Sequence, residues 1–352
     1  MRDPLGRQPR HVTGNAAPDY GDPLLDARVD AANTAFATIW VDHAPQTAVI
    51  NQLRRYIRQT QSRRGVPIPG RRLSQETQAG KSALVWRLKA ELAAERAAAG
   101  LAPNEYQVVI ITIEKHMTLK AFLQEILKQL GEDDIDPDPE ATERKRRKGE
   151  TETETEKEDR RSYKTLETRI AKWSVRLGVD LIVADEAQRL DRVATDASHV
   201  TERIQTFLDR GVVPLLLIGN GKSHAFFEKN GDLCARLGNP LVLKQLLPND
   251  ETEAGKEDAG LFKAFCKDLN AKLVATGAVK LSPRLTNHAT LDALLAVSSG
   301  HVGRVVRLIE EALPLAVERG AATIEAIDLS NAVRGYAIGT GWIDHDPFSH
   351  NG

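Results

Sequence analysis

The sequence predicts an α/β chain: a parallel sheet covered by helices, followed by a small all-helical domain. Three observations predict it. Val108-Val109-Ile110-Ile111-Thr112-Ile113, Leu181-Ile182-Val183-Ala184 and Leu215-Leu216-Leu217-Ile218 are short and apolar without alternation, as strands buried on both faces are. Stretches of helical period separate them, as in βαβ units. After about Pro248 only helical stripes continue.

The 352 residues correspond to about two domains at roughly 150 residues each. Apolar residues make up 41% and charged residues 28%, so a sizeable core with a charged surface is expected. With 48 Lys plus Arg against 49 Asp plus Glu, the net charge is -1. That excludes a globally basic coat protein but leaves room for a local basic surface. Cys234 and Cys266 form no C-x-x-C pair, which argues against a zinc site or a disulfide framework and fits a reducing, cytoplasmic setting. The opening Met1-Arg2-Asp3-Pro4 has no apolar h-region, and no apolar run approaches the 18 or more residues of a membrane span.

Residues 1 to about 25 are rich in Pro, Gly, Asp and Arg without period and read as a flexible arm. Helical spacing begins at Leu25 and runs to about Arg64. Residues 66–74 leave two readings open, a loop or a short strand. Lys81 to Glu95 reads as a helix. After the first apolar strand, Thr118 is placed as an N-cap, with Leu119, Phe122, Leu123, Ile126, Leu127 and Leu130 at helical spacing and Gly131 as the stop. Residues 132–161 carry blocks such as Arg144 to Lys148 and Glu150 to Glu154, and read as a solvated, disordered insertion. Leu166, Ile170, Trp173 and Leu177 mark the next helix, ending at Gly178. Val200, Ile204, Phe207 and Leu208 mark another, stopped by Gly211, and Leu241-Val242-Leu243 is expected as a fourth strand. In the helical part, Leu261, Phe262, Phe265 and Leu269 form one stripe, and Pro314 is expected to kink or break the helix from Val305 to Ala316.

The strongest chemical signal is Gln75-Glu76-Thr77-Gln78-Ala79-Gly80-Lys81-Ser82, followed by Ala83. It follows the phosphate-loop pattern G-x-x-x-x-G-K-[ST], with Gln75 in place of the first glycine. Gly80 lets the backbone approach phosphates, Lys81 reaches the terminal phosphates and the Ser82 hydroxyl suits Mg²⁺. The helix that follows directs N–H groups and its dipole at the same anion. A charged helix start is the bland alternative. Leu181 to Ala184 then delivers Asp185 and Glu186, which suit a Mg²⁺ shell and the polarising of a water. Asn220 closes the next strand, as a phosphate sensor or a turn residue. Arg236 is either an arginine finger acting in trans or a solvated surface arginine. Arg304 opens a helix from which it can fold over the phosphates, or is a bland arginine at a helix start.

Together these residues resemble the AAA+ ATPases of the TniB/TnsC type, over roughly residues 30 to 330. The resemblance rests on the two acidic and phosphate-loop motifs and on four further stretches: Ile39-Trp40-Val41-Asp42-His43 with Ala48-Val49-Ile50; Gly219-Asn220 with Asn230 to Leu233 and Ala235-Arg236-Leu237; Ser298 to Leu308; and Ala321 to Leu329. Gln75, Gln188, Leu237 and the insertion depart from the family pattern.

The resemblance implies an AAA+ P-loop NTPase fold with an α/β nucleotide-binding domain over 26–248, a helical lid over 249–335 and a tail over 336–352. It implies ATP and Mg²⁺ as ligands, with Gln75, Thr77, Gln78, Ala79, Gly80, Lys81, Ser82, Ala83 and Arg304 around the nucleotide and Ser82 and Asp185 at the metal. Glu186, Lys81, Asn220 and Arg236 would carry hydrolysis. It further implies self-association into rings or filaments on duplex DNA without sequence preference, and recruitment of a transposase or a target-selector adaptor. Lys115, His116, Thr118 and Lys120 are the expected DNA contacts, with an N-cap and a solvated helix face as the alternative. Two other roles stay open: a nucleotide-gated adaptor with little hydrolysis, and another AAA+ role such as initiator or helicase loader.

Overall fold

The computed structural model describes residues 22–349 except 64, 116, 133–151, 193–203 and 249–251. In chain order the elements are α1 (Pro23–Ala37), α2 (Ala44–Gln61), β1 (Arg71–Ser74), α3 (Lys81–Ala98), β2 (Val108–Thr112), α4 (Leu119–Gln129), α5 (Glu152–Leu177) and β3 (Leu181–Asp185). A 3-10 turn (Ala187–Arg192) and a helix α6, described over 204–209, lead to β4 (Leu215–Gly219), then α7 (Gly221–Lys229) and α8 (Gly231–Arg236). The helical remainder is α9 (Glu253–Ala275), α10 (His288–Ser298), α11 (Val302–Glu318), α12 (Ala326–Ala332) and a π turn (Val333–Ala337).

The four strands form one wholly parallel sheet in the order β1-β4-β3-β2. Because every strand runs the same way, their carboxyl ends share one edge. Register places Ser74 beside Gly219 and Thr112 beside Asp185. Four loops therefore emerge together, the arrangement that open α/β sheets use for ligands. β3 and β4 are buried along almost their whole length, which explains their unbroken apolar sequences. The core on one face joins Ile111, Leu127, Ile170, Ile182, Leu217 and Phe227. On the other side, Tyr56 of α2 ties the helix to the sheet: its hydroxyl donates to Pro69 O (2.7 Å) and accepts from Leu215 N–H (3.1 Å).

The chain forms two compact units. One is Asp42–Phe265 with Leu294–Arg307 and holds the sheet and the start of α11. The other takes the described residues of Met1–Val41, Cys266–Ala293 and Leu308–Gly352. In it, Glu325 and Asp328 form a capping box for α12, and Arg319 donates to both Asp328 carboxylate oxygens. The chain beyond α12 is folded there too: Asp346 accepts from Ser330 Oγ (2.6 Å), and Tyr336 and Trp342 meet edge to face.

Several expectations need correction. Residues 71–74 are a strand, the open alternative at 66–74, whereas Leu241 makes a single parallel bridge to Leu73 and the expected fourth strand does not form. Leu241 and Leu243 are buried but Val242 is exposed, and the chain leaves the sheet edge after one pairing. α5 begins at Glu152, ten residues inside the stretch expected to be disordered; its Glu and Lys are good helix formers even without apolar neighbours. The rest of that insertion from 133 to 151, with the basic block 144–148, lies outside the described residues, as does Val200. Pro314 does not break α11. Losing one hydrogen bond there costs about 3 kcal/mol, and burial of Leu308, Ile309, Leu313 and their neighbours offsets it at about 1.5–3 kcal/mol per large side chain. Among the described residues no helix is long and apolar enough to cross a membrane.

Candidate nucleotide-binding site

β1 ends at Ser74, and the loop 75–80 starts from the sheet edge, with Gln75 N–H donating to Gly219 O at 3.2 Å. Gln78 (φ 61°) and Gly80 (φ 93°) both lie in the left-handed region. Such turns point successive N–H groups into one concavity. Gly80 is the N-cap of α3, and a Cβ there would come within 3.0 Å of Gln46 Nε2. Glycine thus serves two needs at this position, the positive φ and the close approach. Lys81 folds back over the loop, donating to Gln75 O (2.9 Å) and Glu76 O (2.7 Å). Ser82 and Ala83 are exposed in the first turn of α3, Thr77 is exposed in the loop, and Ala79 is buried beneath it.

β3 brings its terminal acids to this loop. Asp185 Oδ2 accepts from Ser82 Oγ at 3.2 Å, and Asp185 Oδ1 accepts from Glu186 N–H at 2.8 Å. Glu186 itself has φ 67°, a left-handed conformation that strains a residue with a Cβ. Its Oε2 accepts from Gln188 Nε2 (2.7 Å) and lies 3.1 Å from Arg189 Nη2. Burial pushes the Lys81 ammonium below the usual lysine range, while Asp185, Glu186 and Glu76 pull it back. A half-buried cation facing three carboxylates is the pattern that functional sites favour.

β4 supplies Asn220, whose side-chain oxygen accepts from Lys222 N–H (3.0 Å) and caps α7. Its own N–H donates to Gln188 Oε1 at 3.1 Å. From the start of α11 comes Gly303, where a Cβ would fall 2.4 Å from Gln78 O, 2.6 Å from Gly80 N and 2.8 Å from Ala79 C. The helix rests on the loop backbone with no side chain between them. This seats His301 and Arg304 at the loop. Burial lowers both from their ordinary ranges, and Glu76 is the carboxylate opposing that shift.

Of the sequence candidates, the structure brings together the loop 75–83, Asp185, Glu186, Asn220 and Arg304. Arg236 ends α8 in an ion pair with Asp209 (2.8 Å). Lys115 is exposed in the loop after β2, Lys120 is half-buried, and Thr118 Oγ1 accepts from Ala121 N–H as the N-cap of α4. His116 lies outside the described residues. Sequence reasoning missed Arg189, which had a faint signal, a base three residues after an acid in a helical turn.

The donor set suits a magnesium-bound triphosphate. Ser82 and Asp185 are hard oxygen donors already in contact. Among the described residues no cluster of three or more His, Cys, Asp or Glu could hold a metal by itself. Mg²⁺ is commonly held this way, by one or two protein oxygens with phosphates and waters completing the shell.

Residues 75–226 match the family model described as an AAA domain. The chain has the AAA+ P-loop NTPase fold. Among solved structures, the Orc1 protein of Aeropyrum pernix in complex with DNA aligns at a TM-score of 0.54 and 17% identity, over 86% of this chain and 69% of that one. Cdc6p from Pyrobaculum aerophilum gives 0.54 at 12% identity, over 86% and 70%. The Aeropyrum pernix ORC2 protein in its ADPNP–ADP complexes gives 0.52 at 13%, over 86% and 70%. At these identities the likeness is one of AAA+ fold. No curated protein matches the sequence. The AAA+ part of the sequence resemblance is thus found again, and the solved structures of similar fold are Orc and Cdc6 proteins.

Proposed function

We propose that this chain is an ATP-hydrolysing AAA+ protein that uses nucleotide to control its assembly on duplex DNA, in the manner of an initiator. The observation that carries the nucleotide reading is the Ser82–Asp185 contact beside the Lys81 ammonium and the Glu186 carboxylate. Lys81, with the first-turn N–H groups of α3, would hold the terminal phosphates. Ser82 Oγ and Asp185 would supply the oxygen ligands of Mg²⁺, which when bound neutralises charge developing on the phosphoryl oxygens. Glu186 would orient a water and accept its proton. Arg304 would add positive charge from α11, and Asn220 a polar contact from β4. Arg236 would serve a neighbouring copy as a finger, after leaving Asp209.

DNA association is supported by the fold shared with an Orc1 protein whose structure is in complex with DNA, and by exposed Lys115 on the loop that leaves the sheet beside β3. Lys115, Thr118 and Lys120 would contact phosphates, giving salt-sensitive binding without sequence preference. A second reading, regulation of transposition with a transposase or adaptor as partner, is favoured by the TniB/TnsC-like stretches at 39–50, 219–237 and 298–308. Co-sedimentation with random duplex DNA, with and without ATP, tests the shared claim. ATP-dependent co-assembly is expected, and its absence would sink the DNA part. Stimulation by a co-encoded transposase rather than at an origin-like duplex would favour the second reading.

A further inference from the structure

Gln188 is bonded at both ends. Its Nε2 donates to Glu186 Oε2 (2.7 Å), and its Oε1 accepts from the backbone N–H of Asn220 (3.1 Å). The two partners close β3 and β4, which lie side by side in the sheet. The contact with β4 is close: a Cβ on Gly219 would come within 3.0 Å of Gln188 Oε1 and 2.3 Å of Ser223 Oγ. A second tether holds the same carboxylate. Arg189 Nη2 lies 3.1 Å from Glu186 Oε2, while Arg189 Nη1 donates to Ile113 O (2.7 Å), just past β2. Ile113 N–H in turn donates to Asp185 O at 2.9 Å. The Glu186 carboxylate is thus held from two sides, in a backbone conformation that the left-handed region makes costly. β3 itself pairs with β2 along all five of its residues and with β4 over Ile182, Val183 and Ala184, so both tethers lie beyond its paired residues.

We propose that Gln188 is a positioning residue that ties the Glu186 carboxylate to the Asn220 peptide, so that a phosphate bound at the end of β4 sets where that carboxylate points. This rests on the ATPase reading above and deepens it. The side chain suits the task because an amide presents a donor at one end and an acceptor at the other, the polarity these two partners require. A carboxylate of the same length satisfies Asn220 but repels Glu186. Once protonated, it again donates at one end and accepts at the other.

The test uses the full-length chain and the variants Q188A, Q188N and Q188E, with steady-state ATP turnover, binding of a fluorescent ATP analogue and amide hydrogen exchange. Q188A and Q188N are expected to lower kcat by about ten- to a hundredfold, the scale of a mispositioned catalytic group, with KM for ATP changed less than about threefold. Analogue binding near the wild-type level shows that the variants fold. In Q188E, kcat relative to wild type should climb as pH is lowered from about 8 toward the carboxyl range, where the side chain regains its proton beside a like charge. Q188A should show no such recovery. Asn220 N–H should exchange faster in Q188A. Turnover within twofold of wild type in all three variants, or a Q188E profile parallel to that of Q188A, would overturn the proposal. If the wild-type chain turns over no ATP, the ATPase reading fails by itself, and the exchange measurement then decides: unchanged Asn220 exchange in Q188A rejects the tie, and faster exchange upholds it.

Discussion

Ser82 Oγ lies 3.2 Å from Asp185 Oδ2, although 103 positions separate the two residues in the chain. The parallel sheet accounts for that contact. β1 hands the chain to the phosphate loop, β3 ends on the acid, and both strands finish on the same edge. A hydroxyl and a carboxylate thus meet at the start of a helix, beside a half-buried lysine, which is the arrangement the proposed nucleotide site requires.

Glu186→Gln keeps the shape of the side chain and its bond to Gln188 but removes the proton acceptor. Turnover should fall by about a hundredfold or more, the range of general-base removal, while ATP affinity stays within about threefold. Phosphate release with nucleotide binding measured in parallel checks this. Turnover unchanged in this variant would support an adaptor with little hydrolysis.

Gly303→Ala would drive a methyl group into the backbone of Gln78, Ala79 and Gly80 at 2.4–2.8 Å. Backbone cannot swing aside as a flexible side chain can. The start of α11 must move away, taking Arg304 with it. Stability should drop by about 1–3 kcal/mol, as overpacking does, and ATP affinity by about tenfold. A urea melt together with a nucleotide titration reads both.

His43 is buried, its Nε2 has no hydrogen-bond partner among the described residues, and its ring meets the edge of Phe265 at 5.6 Å. Burial lowers its pKa from 6.5 to about 4. The folded chain therefore keeps the ring neutral where the unfolded chain takes up a proton. Stability from this group is complete above the unfolded value and falls as pH drops from 6.5 toward 4, by no more than about 3 kcal/mol. His43→Phe should flatten that part of the profile. Urea midpoints at pH 7.5 and pH 5 for the two proteins compare it directly.

Cys266 is fully buried on α9, which pushes its thiol up to about 12, whereas Cys234 is partly exposed on α8. Thiolate is the reactive form. A colorimetric thiol reagent should modify one cysteine in the native chain, Cys234, and two after denaturation. Rapid modification of both in the native state would contradict this packing.

The parts of the site that were legible in the sequence are those whose chemistry is local. Gly80-Lys81-Ser82 opens a helix, and Asp185-Glu186 ends an apolar strand, so residue type and neighbours suffice. β1 was harder to read because Arg71-Arg72-Leu73-Ser74 is barely apolar; Arg72 is buried with its guanidinium 5.4 Å over the Phe227 ring, a partner 155 residues later. The start of α5 was hidden because Glu and Lys favour helices and solvated linkers alike. Arg189 acts through contacts that only the folded sheet edge creates. Gln188 stood in the sequence as a departure from a family pattern; its two hydrogen bonds give that departure a physical role.

The central claim is that Lys81 and Ser82 grip a triphosphate opposite Asp185 and Glu186. Isothermal calorimetry of the full-length chain with MgATP, for wild type and Lys81→Ala, tests it most directly. Saturable uptake of about one nucleotide per chain by the wild type, lost or weakened at least a hundredfold in the variant, is the predicted result. No heat of binding in the wild type, or equal uptake by Lys81→Ala, would contradict it.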